Sequence, residues 1–344
     1  MAFLWGRHWT RAQLMQRVGD AGQLGGARRV VIAEGPGKGV ECVEFDTGAG
    51  LSFSVAVDRC LDIPRASFRG ASLCWHSMTG LEHPAFVEAI GRRFLYHFFG
   101  GLLTTCGLTA MGAPAADQFG EAPMHGRATG LPAEGVCVWN RWTGDEMDMG
   151  VSGTVRETAL FGPHLRLTRT ITARLGQNAI RLCDVVENAG FEPTPFQILY
   201  HINYGFPLLD AATGLIIADT RVEPMDETAA AGLNDWARFD EPRHGWREQC
   251  FLHQVTPDAE GWAALTLRNP AIFEGEGLAV RQRWSAGTLP FLTEWKMIGE
   301  GAYVVGLEPG NAYPLGRDRE HAAGRLQILE PGQRVELRVE WEII

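Results

Sequence analysis

From Arg334 to Ile343 the chain alternates without a break. Val335, Leu337, Val339, Trp341 and Ile343 are apolar, and Arg334, Glu336, Arg338, Glu340 and Glu342 between them are charged. A helix would spread that apolar set around its circumference. A strand gathers it on one face and leaves the charges in water. Leu51, Phe53, Val55 and Val57 repeat the pattern against Ser52, Ser54, Ala56 and Asp58. Residues 165–188 read as a hairpin, with Leu165, Leu167 and Ile171 alternating with Arg166, Thr168 and Thr170, a turn at 175–178 and a return strand at 179–188. Further strands are predicted at 27–34, 39–46, 61–67, 135–142, 151–159, 197–204, 262–268, 277–284, 291–297 and 302–308.

The 42 glycines and 18 prolines among 344 residues suit many short strands joined by turns. Helical signals are few. Thr10 and Gln13 form a capping box ahead of a short helix to about Val18, and Pro84 can open another. Residues 225–245 are polar and turn-rich and read as a long loop. No strand–helix alternation points to a doubly wound fold, and no linker or fixed repeat divides the chain. The expected fold class is all-β, a large antiparallel β-sandwich. Residues 1–344 are expected to form a single domain, of which about the first 25 residues are an extension.

The formal charge of −10, from 31 basic and 41 acidic side chains, argues against nucleic acid or an anionic membrane as partner. No apolar run is long enough to span a bilayer, and the first residues, with Arg7 and no apolar stretch behind it, do not resemble a signal peptide. Seven cysteines without a C-x-x-C spacing suggest reduced, mostly buried thiols, so a cytoplasmic setting is expected. Oligomeric state is not legible.

Ionisable residues set among apolar, glycine-rich stretches are the candidates for chemistry. Asp58, Arg59 and Asp62 follow an apolar strand face; they form either a structural ion cluster or an arginine aimed into a pocket. His125 precedes Gly126, which allows close approach of backbone or ligand, and Arg127 follows two residues on. His201 and Asn203 lie at i, i+2 near the end of an apolar strand and so project from one face, unless His201 is a satisfied core histidine. Glu308 closes the strand before Pro309-Gly310, where a carboxylate can serve acid–base chemistry or lie exposed at a strand end. Trp295 offers a flat surface for a sugar ring and Lys296 a hydrogen-bond donor. His253, after Phe251 and Leu252, is a weaker candidate.

The segments VDRCLDI, GGLLTTCGL, MHGRATGLPA, YHINYGFPLL and WKMIGEGAYVVGLEPGN occur in order from about residue 50 to 312. Together they resemble the DUF4432 branch of the aldose 1-epimerase, or galactose mutarotase-like, superfamily. The resemblance implies a β-supersandwich whose concave sheet binds a small-molecule sugar, with no metal or organic cofactor required. It implies that His125 binds and polarises the sugar, that His201 is the general acid to the ring oxygen, and that Glu308 is the general base at the anomeric hydroxyl. It further implies that Arg59 and Arg127 line the pocket. Cys60 stands where the branch commonly has Gly, and Gly130 where it commonly has Asn, which bears on the identity of the sugar.

Two other functions fit the same residues. His125, His201 and Glu308 are a two-histidine, one-carboxylate set that suits a metal-dependent isomerase, epimerase or lyase. A non-catalytic carbohydrate-binding protein is the other.

Overall fold

A computed structural model describes residues 1–218 and 220–344. Eight antiparallel strands form the larger sheet, in the order Glu134–Thr143, Glu146–Thr158, His164–Arg174, Ala179–Asn188, Arg334–Ile343, Leu278–Ser285, Trp262–Asn269 and Gly214–Ile217. The carboxyl-terminal strand lies in its middle, paired on both sides. That position explains its alternation: Val335, Leu337, Val339 and Trp341 are buried against the core while the charged set faces water. Burying one such side chain contributes roughly 1.5–3 kcal/mol.

A second sheet packs on the apolar face of the first. Its order is Thr220–Pro224, Gln249–Val255, Phe291–Gly299, Ala302–Gly310, Thr194–His201 and Gln327–Leu329. Thr104–Leu108 also pairs with Thr194–His201, and Asn203–Gly205 with Ala302–Gly310. Five strands between Gly26 and Ser72 form a third sheet. The arrangement is the all-β one expected, with few short helices. The helices are shorter than the sequence suggested: Arg11–Met15 behind the Thr10–Gln13 capping box, and a single 3₁₀ turn at Pro84–Phe86. The segment 225–245 holds only the short turns Glu227–Ala230 and Leu233–Asp235.

A buried ionic network joins the layers. Arg169, from the larger sheet, pairs with Asp184 at 2.7 Å and with Asp62 at 3.0 Å. Tyr200 Oη donates to Asp184 at 2.7 Å, and the Thr105 backbone N–H donates to Asp62 at 3.0 Å. Buried charges are tolerated when paired in this way. Asp62 therefore belongs to a structural ion cluster. Tyr200 precedes His201, so the network fixes the strand from which the histidine projects on the opposite face.

Candidate active site

The outer face of the second sheet gathers the candidate residues. Leu199 pairs with Gly310 and Asn203 with Gly306, a register that sets His201 across from Glu308. Thr293 pairs with Glu308, and Trp295 with Gly306, so His201, Asn203, Glu308, Thr293 and Trp295 share one face. Gly306 is required here: a Cβ added at that position would run into the Glu308 carboxylate, which folds back over it. His125 reaches the same place from the segment that crosses above the sheet. Its backbone is held in the left-handed region at φ 57°, with its N–H donating to the Gly112 carbonyl and its own carbonyl accepting from Gly107. Gly126 beside it does permit a close approach, of the Gly107 and Ala110 carbonyls.

His125, His201 and Glu308 are 8%, 5% and 2% exposed. His201 Nδ1 lies 3.0 Å from Glu308 Oε1, out of hydrogen-bond alignment. The two histidine rings meet edge to face, with centroids 5.6 Å apart. Aromatic rings enclose them: Phe94 is 4.6 Å from His125, Phe98 is 4.7 Å from His201, and Trp295 is 5.5 Å from His201. Trp75 closes the wall against Phe98 and Trp295. Within this enclosure His125 Nδ1, His201 Nδ1, Glu308 Oε1, Thr293 Oγ1 and Asn203 Oδ1 have no hydrogen-bond partner among the described residues. Buried polar atoms are ordinarily paired, so five open ones in one place make this the candidate binding site for a polar molecule.

Burial in this apolar enclosure acts on every charge. It pushes the His125 imidazole down to about 4. It holds His201 well below the usual range, helped by the nearby His125 and opposed by Asn203. It holds Glu308 well above the usual carboxylate range, helped by the charge of Glu248. Both shifts favour the uncharged forms, so burial holds Glu308 towards the acid and His201 towards the neutral imidazole.

The remaining sequence-predicted residues separate. Asn203 is buried beside His201, its amide donating to the Gly101 and His201 carbonyls. Trp295 faces the cluster, its indole N–H donating to Glu248 at 2.7 Å. Lys296 does not share that face. As the next residue of a strand it points the other way, where Nζ donates to the Asp235 carbonyl at 2.7 Å. Arg59 is fully buried, with its guanidinium donating to the carbonyls of Thr129, Glu82 and His97, and it is not brought to the cluster. Arg127 is exposed and lines a separate cleft of about 800 Å³ with Val87, Ile90 and Glu121. Phe94, Phe98, Trp75, Thr293 and Glu248 complete the site and escaped the sequence reading. Parity with Trp295 could have found Thr293. Among the described residues no group of three or more His, Cys, Asp or Glu is arranged to hold a metal ion. All seven cysteines are free, with Cys106 buried beneath the cluster and Cys137 exposed.

A family model described as "domain of unknown function (DUF4432)" matches residues 37–343. The chain belongs to the DUF4432 family. No curated protein matches it. Among solved structures it is similar to a candidate aldose 1-epimerase from Klebsiella pneumoniae, with a TM-score of 0.86 at 24% identity, covering 92% of this chain and 83% of that one. It is also similar to a galactose mutarotase-like protein from Clostridium acetobutylicum, with a TM-score of 0.62 at 11% identity, covering 94% and 99% of the two chains. A galactose 1-epimerase from Lactobacillus acidophilus matches with a TM-score of 0.52 at 11% identity, covering 92% and 98%. The fold of this DUF4432 chain is therefore the galactose mutarotase-like one. No helix among the described residues is long and apolar enough to cross a membrane.

Proposed function

We propose that the chain is an aldose 1-epimerase, interconverting the anomers of a free sugar. The observation that carries this reading is the His201–Glu308 pair, 3.0 Å apart and buried, with His125 beside it and open polar atoms on all three. Mutarotation needs one proton taken from the anomeric hydroxyl and one given to the ring oxygen. The C1–O5 bond then breaks, the aldehyde carbon turns, and closure on its other face reverses both transfers. A pair holding one proton suits this requirement. Once a proton has passed from Glu308 to His201, Glu308 as carboxylate accepts the hydroxyl proton while His201 as imidazolium delivers its own, and the pair returns to acid plus imidazole with unchanged net charge. The net charge of the apolar enclosure is the same at every stage. His125, held neutral at physiological pH by burial, offers hydrogen bonds to sugar oxygens without adding a second cation beside His201. The ring of Trp295 supplies the flat apolar surface on which the C–H face of a pyranose stacks.

Magnetisation-transfer NMR tests the reading. One anomer of each of a panel of aldoses is saturated and the other is observed. Enzyme-dependent transfer for at least one sugar is expected. Sugar binding without transfer across the panel would instead favour a carbohydrate-binding role, and activity abolished by chelator would favour a metal-dependent one.

A further inference from the structure

Arg59 is a buried cation of an unusual kind in this chain. The other fully buried arginine, Arg169, sits between two carboxylates. Arg59 has no carboxylate within ion-pair distance among the described residues, and its guanidinium donates to three backbone carbonyls instead. Burial lowers its pKa to about 10, so it is still charged at neutral pH. Removing such a charge from water is unfavourable, and a neutral side chain would fill the space more easily. What Arg59 supplies is geometry, because a planar fork can hold several acceptors at fixed angles.

The three acceptors belong to the surroundings of the site. Nε donates to Thr129, in the turn that follows His125, at 2.6 Å. Nη1 and Nη2 donate to Glu82 and His97, at 2.9 and 3.2 Å. Glu82 and His97 bracket a strap that crosses over the second sheet, and their side chains also meet, Nδ1 to Oε2, at 2.7 Å. Phe94 lies inside the strap and Phe98 immediately after it, stacked at 5.0 Å, one against each histidine of the cluster. The outer side of the strap leaves Phe86, Ile90, Leu95 and Tyr96 exposed, so packing outside does little to hold it down.

We propose that Arg59 is a positioning residue: it latches the strap 82–97 to the His125 segment, and so keeps Phe94 and Phe98 closed over His125, His201 and Glu308, without itself touching substrate. The consequence for rate rests on the epimerase reading. The latch itself is tested independently of it.

Arg59→Lys keeps the charge, but one ammonium cannot reach three carbonyls that lie in different directions. The ring C–H signals of His125 and His201 are followed by NMR against pH. Besides each other, the titratable groups near these rings are Glu308, the thiols of Cys106 and Cys250, and, beyond Glu308, Glu248. In Arg59→Lys both rings are expected to titrate closer to the ordinary histidine value as water enters. In Arg59→Ala, guanidinium ion at low, non-denaturing concentration is expected to reverse that change, whereas sodium at the same ionic strength does not. Where the wild type exchanges anomers, kcat is expected to fall about tenfold to a hundredfold with a smaller change in KM. Folded Arg59→Lys with wild-type ring titrations overturns the latch. A raised KM with unchanged kcat and unchanged titrations also overturns it, because Arg59 would then be a substrate contact. If Arg59→Ala does not fold, the Arg59→Lys titrations decide. If the wild type exchanges no sugar, the epimerase reading fails while the titrations and the guanidinium rescue still decide the latch.

Discussion

Two buried histidine–carboxylate pairs lie on opposite faces of one sheet. On the outer face His201 Nδ1 is 3.0 Å from Glu308; on the inner face His253 Nε2 is 3.1 Å from Glu294. By distance and burial they are nearly the same object. Their surroundings differ. His253 has both ring nitrogens engaged, Nδ1 with Thr220 and Nε2 with Glu294. Lys296 adds a favourable charge to Glu294, and Trp236 packs edge-on against the ring. Around His201 the polar atoms of several neighbours are open, and the nearest influential charge on Glu308 is another carboxylate. A buried acid–base pair is thus not a site in itself. Glu294 Oε1 is open as well, so it is the larger set of open atoms together with the aromatic enclosure around His201 that makes the distinction.

The sharpest test of that distinction exchanges one atom in each pair. Glu308→Gln is expected to lower anomer exchange by about 10²–10⁴-fold, since an amide cannot accept the hydroxyl proton. Glu294→Gln is expected to leave exchange near the wild-type rate. Equal losses measured by magnetisation transfer would erase the difference between the two pairs.

Stability should show the reverse order. His253→Ala leaves Glu294 buried without its partner and is expected to cost about 3–5 kcal/mol in denaturant unfolding. His201→Asn is expected to cost less, because His201 has fewer bonds to lose.

A pH series sharpens the same contrast. His125 is held at about 4 in the folded chain against 6.5 when unfolded. The unfolded state therefore binds the proton first on acidification. The stabilisation is complete above about pH 6.5 and is lost as pH falls towards 4, by about 3 kcal/mol. His125→Asn is expected to flatten that part of the stability profile. A slope unchanged by the substitution would mean that the ring is not sealed from water.

The smallest expected effect is at Gly306. Gly306→Ala should displace the Glu308 carboxylate and lower exchange about tenfold, with little change in the fold. A wild-type rate would show that the carboxylate has room to spare.

Much of the sheet framework is legible from residue order, because strands with one wet face alternate. The 165–188 hairpin was expected nearly at its observed limits, His164–Arg174 and Ala179–Asn188. Gln249–Val255 was missed: its inward residues include Gln249 and His253, which read as polar although they are buried. Thr104–Leu108 was missed because it is buried on both faces and too rich in Gly and Thr to alternate. At the site, the placing of His201 and Asn203 together followed from parity. The same parity separates Trp295 from Lys296, since neighbours in a strand cannot serve one pocket. For Arg59 no local signal exists, because its three partners lie 23 to 70 residues away in the chain.

The register of Phe291–Gly299 against Ala302–Gly310 has a consequence for how this chain can change. The two strands are joined by Glu300 and Gly301 alone, with Gly301 at φ 74°. Glu308 stands seven residues beyond Gly301, about 23 Å along the strand. Insertion of one residue in that short connection would leave both strands in place while turning every side chain of one of them to the other side. Glu308 would then face the interior, and Val305 and Leu307 would face His125 and His201. The turn is remote from the His201–Glu308 cluster, yet it works as the gauge that sets which residues meet there. A length change there is expected to be less tolerated over generations than most substitutions in the pocket wall.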